Sequence, residues 1–333
     1  MNYKAYILSS LMLFMLVGCY TKREYYKPES VSSNIEFTGS LSSAIQQTSK
    51  YGAVLKNGSV LLKSGKIIEL NLLKDDNFLG EYQDKLLVAN IDGSFKVLVD
   101  SDEYYTNKFN TRIVSASIND NHLAALSADN TIYLIDMISD TILLEYNIGI
   151  TYAIDAKMAN PIFLNSIIVY PTLDGKIMIV DRANGRILRD AVVSSEPFFN
   201  NIIFLDLLGD KMFAASATKF MAIDPNGVKY YDGQIKDVLI YSGRIYIFLK
   251  DGVVEILDLE LNKIGSQNFK FAIFAGAIPQ DDKLYIFEKT GYMFITDLNL
   301  QNTQVIELDS EISKKSFTGT DAFYYDNEIL KLK

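Results

Sequence analysis

The sequence predicts an all-β chain folded as a β-propeller, and two regular features carry that prediction. A unit of two alternating apolar strands around a tight turn recurs along the chain, and an aspartate ends the second strand of six units. These aspartates are Asp100, Asp136, Asp181, Asp224, Asp258 and Asp297, and neighbouring ones lie 34 to 45 residues apart. Spacing near 40 residues with short strands is typical of propeller blades, each a four-stranded antiparallel sheet.

The turns inside the units indicate how many blades to expect. Asn-Gly and Asp-Gly pairs suit two-residue hairpins, because both central residues need a positive φ. Four of the units turn at such a pair, and the fifth unit departs, with Thr218-Lys219 at its turn. Counting every hairpin of two alternating strands gives eight, which begin near Tyr51, Lys85, His122, Ser166, Lys211, Arg244, Lys283 and Ala322. We therefore expect eight four-stranded blades, with seven as the alternative because the first unit is weakly marked.

The two ends of the repeat region complement each other. The last hairpin, Ala322–Lys333, ends without an outer strand, and Ser33–Ser40 supplies a spare strand at the other end. An open ring would leave an unpaired strand edge. We therefore expect the N- and C-terminal strands to pair, closing the ring in a blade shared by both termini.

The N-terminus has the layout of a secretory signal peptide. Lys4 precedes an apolar run from Ile7 to Val17, which is too short to span a bilayer comfortably. Leu16-Val17-Gly18-Cys19 resembles the lipobox of bacterial lipoproteins, and Cys19 is the only cysteine in the chain. The resemblance implies cleavage before Cys19 and acylation of its thiol, with palmitate-type chains holding the protein at a membrane. By the same resemblance, Tyr20 after the cysteine favours the outer membrane, on its periplasmic face, with the cell surface left open.

We accordingly divide the chain into three segments. Residues 1–18 form the lipoprotein signal peptide, 19–35 a lipidated flexible tether, and 36–333 the propeller. Without residues 1–18 the formal charge is −10, from 31 basic and 41 acidic residues. An acidic chain without a long basic run argues against nucleic acid as a partner.

The segment Ile179-Val-Asp-Arg-Ala-Asn-Gly185 resembles the pyrroloquinoline-quinone-type propeller repeat, and Ile223-Asp-Pro-Asn-Gly227 is a version one residue shorter. The other units keep the aspartate and lose the glycine. Combined with the lipobox, this pattern resembles the BamB family, the lipidated propellers of the outer-membrane β-barrel assembly machinery. The resemblance implies a periplasmic scaffold that binds envelope proteins and assists barrel assembly.

Residues that would support catalysis or cofactor binding are scarce. Enzymes that use the quinone stack it on tryptophan and often carry a vicinal disulfide, whereas this chain has no tryptophan and one cysteine. His122 is the only histidine, so a histidine-based triad or metal site would rest on it alone. We therefore expect no cofactor, no metal site and no enzymatic activity. The six repeat aspartates are expected to accept hydrogen bonds from turn N–H groups.

The leading functional hypothesis is a membrane-anchored scaffold whose loop rim binds other proteins. Candidate partner-binding aromatics lie in two predicted rim segments and are Tyr104, Tyr105, Phe109, Phe198 and Phe199. One alternative is a hydrolase or lyase with a carboxylate or calcium site in the central funnel. Another is a surface-exposed adhesin or solute-binding lipoprotein. Convergence of carboxylates in a deep funnel would favour the enzyme, and an apolar patch on the rim would favour the scaffold.

Overall fold

The computed structural model describes residues 24–152 and 154–332, and their strands form eight sheets arranged as a propeller. Two short strands come first, β1 (Ser33–Ile35) and β2 (Gly39–Ser40). Blade one follows, with β3 (Ile45–Thr48), β4 (Gly52–Leu55), β5 (Ser59–Leu62) and β6 (Ile67–Glu69). Blade two holds β7 (Asp76–Tyr82), β8 (Lys85–Asn90), β9 (Ser94–Val99) and β10 (Asp102–Lys108). Blade three holds β11 (Ile113–Asn119), β12 (His122–Ser127), β13 (Thr131–Asp136) and β14 (Thr141–Asn147).

The remaining blades continue the same order. Blade four holds β15 (Ile162–Phe163), β16 (Ile167–Pro171), β17 (Lys176–Asp181) and β18 (Ile187–Val192). Blade five holds β19 (Phe204–Leu208), β20 (Lys211–Ala215), β21 (Lys219–Asp224) and β22 (Gly227–Asp232). Blade six holds β23 (Ile235–Tyr241), β24 (Arg244–Leu249), β25 (Val253–Leu257) and β26 (Lys263–Asn268). Blade seven holds β27 (Phe274–Gln280), β28 (Lys283–Glu288), β29 (Tyr292–Asp297) and β30 (Gln304–Leu308), and blade eight holds β31 (Ser316–Thr318), β32 (Ala322–Tyr325) and β33 (Glu328–Lys331).

The prediction of eight four-stranded blades is confirmed. Within each blade the strands follow chain order from the central axis outward, and consecutive strands pair antiparallel. The hairpins counted in the sequence are the second and third strands of the blades. The second strand begins within one residue of the predicted start in all eight cases.

Ring closure is consistent with the prediction, with one addition. Strand β2 pairs antiparallel with β33, with Gly39 opposite Ile329, and so becomes the outer strand of blade eight. The stretch Ser33–Ser40 was expected to be one strand, yet it divides between two blades, because β1 pairs parallel with β30 of blade seven. Between the two strands, the centroid of the Phe37 ring lies 6.0 Å from that of Tyr325 in blade eight.

The hydrophobic core lies mostly between adjacent blades. Alternate residues of each strand project to opposite faces of its sheet, so both faces of a blade bury apolar side chains. Phe287 of blade seven and Phe323 of blade eight are fully buried and stack with their ring centroids 3.9 Å apart. Tyr170 of blade four is also fully buried, and its hydroxyl donates to the Tyr133 carbonyl of blade three at 2.8 Å. Such contacts make each blade depend on its neighbours.

The chain before β1 contacts the body of the propeller. The Tyr26 ring lies edge-on against Phe294 and Tyr292 of blade seven, with centroid distances of 5.0 and 5.7 Å. The predicted tether, residues 19–35, therefore includes a segment from Tyr26 to Ile35 that is attached to blade seven. The predicted signal peptide, residues 1–18, and Cys19 lie outside the described residues.

Across the described parts of the chain, no helix is both long enough and apolar enough to cross a membrane.

Candidate functional site: the central channel and the loop rim

A central cavity of about 880 Å³ is lined by the inner parts of seven blades and, in front of blade four, by residues of the loop 154–160. Its basic lining residues are Lys50, Lys63, Arg112, Lys157 and Lys315. Its acidic lining residues are Asp155, Asp206 and Asp237. Basic side chains thus outnumber acidic ones along the channel, although the chain as a whole carries a formal charge of −9. A carboxylate-rich funnel, which would have favoured an enzyme, is not the arrangement found.

Residues 154–160, here called the crossing loop, connect blade three to blade four and enter this channel. Asn160 ties the loop to blades one and two: its N–H donates to the Tyr51 hydroxyl at 3.1 Å, and its Nδ2 donates to the Leu79 carbonyl at 2.9 Å. From blade three, the Ser115 hydroxyl donates to the Ala159 carbonyl at 2.6 Å. The loop therefore bridges several blades across the axis. Burial raises the pKa of Tyr51 to about 12, so this hydroxyl stays neutral.

One ion pair joins the crossing loop to blade six. The Lys157 ammonium lies 2.5 Å from the Asp237 carboxylate and also donates to the Lys236 carbonyl at 3.2 Å. Burial raises the pKa of Asp237, but the charge and hydrogen bond of Lys157 outweigh it and hold the pKa below its ordinary value. Both side chains are about 40 % exposed to the channel, at 39 % and 42 %. Asp237 therefore stays ionised and is committed to Lys157.

Lys50 and Lys63 stand apart from this pair. Within the described residues, neither ammonium has a carboxylate within 4.0 Å, and the Lys50 Nζ lies 4.4 Å from the Phe204 ring centroid. Desolvation lowers the pKa of both lysines. The channel leaves their side chains open to solvent while surrounding them with protein atoms. Nothing in their local sequence, a turn in each case, distinguishes them from surface lysines.

An exposed apolar cluster lies on the loop rim, and we call Ile150, Tyr152, Phe198 and Phe199 the rim patch. These side chains are 84, 79, 57 and 54 % exposed, and the rings of Tyr152 and Phe198 meet edge-to-face at 6.2 Å. The two loops follow β14 and β18, and each connects an outer strand to the next inner strand. Because strands alternate in direction, both loops lie on the same face of the propeller.

The five aromatics predicted to bind a partner divide into two groups. Phe198 and Phe199 belong to the rim patch, and Tyr104 is 47 % exposed on β10 of blade two. Tyr105 and Phe109 are buried, so the structure corrects their assignment to a binding surface. The Phe109 ring packs 4.9 Å from that of Tyr133 in the neighbouring blade. Ile150 and Tyr152 were missed, because single apolar residues in a loop show no periodic pattern.

The repeat aspartates sit at the turns, where five of the six accept backbone hydrogen bonds. Asp136 accepts from the N–H of Ile138 at 2.9 Å, and Asp297 accepts from the N–H of Asn299 at 2.9 Å. The same contact is made by Asp181, Asp224 and Asp258. Asp100 differs, because only two residues connect β9 to β10 and Asp100 is one of them, with φ at 47°. It makes no such contact within the described residues.

His122 lies at the start of β12 beside an arginine. Arg182 Nη2 donates to the Asp120 carboxylate at 2.7 Å, and its Nε lies 3.4 Å from His122 Nδ1. The guanidinium thus joins blades three and four next to the imidazole. In the described ranges, no group of three or more His, Cys, Asp or Glu side chains could hold a metal ion.

No protein-family model matches the chain. Two plasminogen-binding proteins PgbB, from Helicobacter pylori strains J99 and 26695, are each 28 % identical over an alignment of 376 positions. Each alignment covers 98 % of this chain and 68 % of the relative.

Solved structures share the fold at low sequence identity. BamB from Moraxella catarrhalis superposes with a TM-score of 0.65 at 12 % identity, over 89 % of this chain and 96 % of that one. The C-terminal WD40 domain of Sif2 gives a TM-score of 0.66 at 12 % identity, over 91 and 100 %. The designed protein Ika8 gives 0.64 at 14 % identity, over 90 and 99 %. The chain is therefore a BamB-like eight-bladed propeller in its fold, and its sequence is similar to that of the PgbB proteins along nearly its whole length.

Proposed function

We propose that this chain is a non-enzymatic, protein-binding propeller, held at the outer membrane through Cys19, which contacts its partner through the rim patch. The observation that carries the proposal is the rim patch itself. Large apolar side chains clustered in an exposed position mark protein interaction sites, because removing their surface from water lowers the free energy. Aromatic residues are the ones that most often dominate binding energy at such surfaces.

The partner we put first is plasminogen or a protein of its kind. The two relatives that align over nearly the whole chain are both plasminogen-binding proteins, which favours the adhesin hypothesis among those the sequence suggested. In that case the propeller faces the outside of the cell. Basic residues outnumber acidic ones along the central channel, and this charge balance supports a binding role over carboxylate catalysis.

The experiment measures plasminogen binding by surface plasmon resonance. Wild-type protein lacking its lipid is compared with Tyr152→Ser and Phe198→Ser, each of which removes one aromatic ring from the rim patch. Truncating a binding hot spot costs about 2 kcal/mol or more, so we expect affinity to fall roughly 30-fold or more. Ile138→Ser removes an exposed apolar side chain from the loop between β13 and β14, on the opposite face of the propeller, and serves as the matched control, with affinity expected to stay unchanged. Absence of binding by the wild type, or equal binding by all variants, would refute the proposal.

The second candidate is assistance of β-barrel assembly, the role implied by the resemblance to the BamB family. It requires envelope proteins as partners and a periplasmic face. Crosslinking and co-purification from membranes should then recover components of the assembly machinery, and deletion of the gene should lower porin levels. If no component of the machinery is recovered and porin levels stay normal, while plasminogen binding is intact, the assembly role is excluded and the adhesin role is retained.

Lipid anchoring has its own test. Cys19→Ser is expected to give a soluble precursor or periplasmic form, because the thiol is the proposed site of acylation. If that variant remained acylated and membrane-bound, the anchor would have to lie elsewhere.

A further inference from the structure

We propose that the central channel binds an anionic small molecule, held through a phosphate or carboxylate group by Lys50 and Lys63. This site is separate from the rim patch and does not depend on the proposed partner protein. Four features of the described residues support it: the path of the Lys50 side chain, the missing counter-charges, the electrostatic surroundings of Lys50, and the volume of the channel.

Lys50 reaches across the channel. It lies in the turn between β3 and β4 of blade one, yet its Nζ lies 4.4 Å from the ring of Phe204, which begins the inner strand of blade five. Blades one and five face each other across an eight-bladed ring. An ammonium ion is strongly hydrated, so a lysine side chain in a turn ordinarily extends into bulk water. Here the charge stays over an aromatic face inside the channel.

Counter-charges for these two lysines are missing. Of the acidic side chains that line the channel, Asp237 already binds Lys157 at 2.5 Å. The negative charge of Asp206 raises the pKa of Lys50, but the two side chains do not form an ion pair. Within the described ranges Lys50 and Lys63 therefore have no carboxylate partner within 4.0 Å.

The surroundings of Lys50 disfavour its positive charge, although the side chain is open to solvent in the channel. Burial lowers the pKa of Lys50, and the positive charges of Lys63 and Lys157 lower it further. Asp206 and Asp237 offset this only in part, since the net direction remains downward. A bound anion would offset this effect, because it would supply the counter-charge that the described residues do not.

The volume of the channel and its electrostatic potential both favour a small anion. A volume of about 880 Å³ is within the range of small-molecule sites. A channel that is positive inside an acidic protein concentrates anions relative to bulk solution, because its low-dielectric walls focus the field. Phe204 and Tyr51 add apolar surface beside the lysines, on which the uncharged part of a ligand can pack.

The experiment is isothermal titration calorimetry on the folded protein, with inorganic phosphate and citrate as the two probes. Lys50→Met and Lys63→Met keep most of the side-chain volume and remove one charge each. Loss of a charged hydrogen bond weakens binding by about tenfold or more, and we expect that loss in both variants. Lys96→Met is the matched control, since Lys96 pairs with Glu103 on the outside of blade two, and its affinity should equal that of the wild type. Preference for one probe identifies the bound group as phosphate or carboxylate.

A second measurement separates a binding role from a structural one. Without ligand, Lys50→Met should leave the Tm close to the wild-type value, because the side chain is open to solvent and forms no ion pair within the described residues. A lowered Tm would assign Lys50 to the stability of the fold and overturn its role in binding. Absence of binding heat for both probes in the wild type, or equal affinities in all variants, would overturn the site as a whole.

Discussion

Replacing Phe287 with alanine should weaken the contact between blades seven and eight, the junction next to ring closure. Phe287 and Phe323 are both fully buried, and their rings stack 3.9 Å apart with an interplanar angle of 7°. A Phe→Ala change in a tight core costs about 3–5 kcal/mol, from lost burial and from the cavity that remains. With an unfolding entropy of about 2.1 cal/mol/K per residue over roughly 300 residues, 4 kcal/mol lowers the Tm by about 6 °C.

The assay is urea unfolding followed by far-UV circular dichroism, since the chain has no tryptophan to report fluorescence. Phe287→Leu is the control and should lose less, because leucine fills most of the space. A double-mutant cycle with Phe323→Ala should give a coupling of about 0.5–1.5 kcal/mol, the range of aromatic pairs. If Phe287→Ala cost under ~1 kcal/mol, or if the two changes were additive, the two rings could not form the buried contact described.

Two further predictions concern turns. Gly93 has φ at 91°, and a Cβ there would collide with the Phe109 carbonyl oxygen, so Gly93→Ala should lower the urea midpoint more than Gly243→Ala. Gly243 has φ at 71° with open space around it, so its alanine variant should lose only about 1–2 kcal/mol. Two backbone N–H groups hold the pKa of Asp136 below 3.8, so its stabilising effect is present above that value and is lost as pH falls through the lowered pKa. Asp136→Asn should therefore flatten the dependence of Tm on pH in this acidic window, and an unchanged slope would contradict the role of these hydrogen bonds.

The blades could be predicted from the sequence because their signals are local. A hairpin needs a turn residue with positive φ between two alternating strands, and all of these lie within about fifteen residues. Asp174-Gly175 marks such a turn, and Gly175 has φ at 85°. Ring closure could also be inferred, because the last hairpin lacks an outer strand and the first strand lacks a partner, and pairing the two satisfies both. The division of Ser33–Ser40 between two blades comes from the pairing of β1 with β30, a strand far along the chain, and such a pairing has no local signature.

The channel could not be predicted, because its lining comes from positions far apart in the chain. Lys50 and Phe204 are 154 residues apart in sequence and meet only because blades one and five face each other. Burial of Tyr105 and Phe109 was missed for a similar reason. Both occur in a stretch rich in polar residues, and only the neighbouring blade, which brings Tyr133 against Phe109, shows that they are internal.

Attachment of the N-terminal segment to blade seven has a mechanical consequence for a chain anchored through Cys19. Any pull between the membrane and the body would act first on Tyr26, against the rings of Tyr292 and Phe294, and then on the parallel strand β1. The short strand β2, which completes blade eight, comes after both along the line of tension. If the chain is anchored in this way, load on its N-terminal end reaches the pairing of β2 with β33, which closes the ring, only after these two contacts have given way.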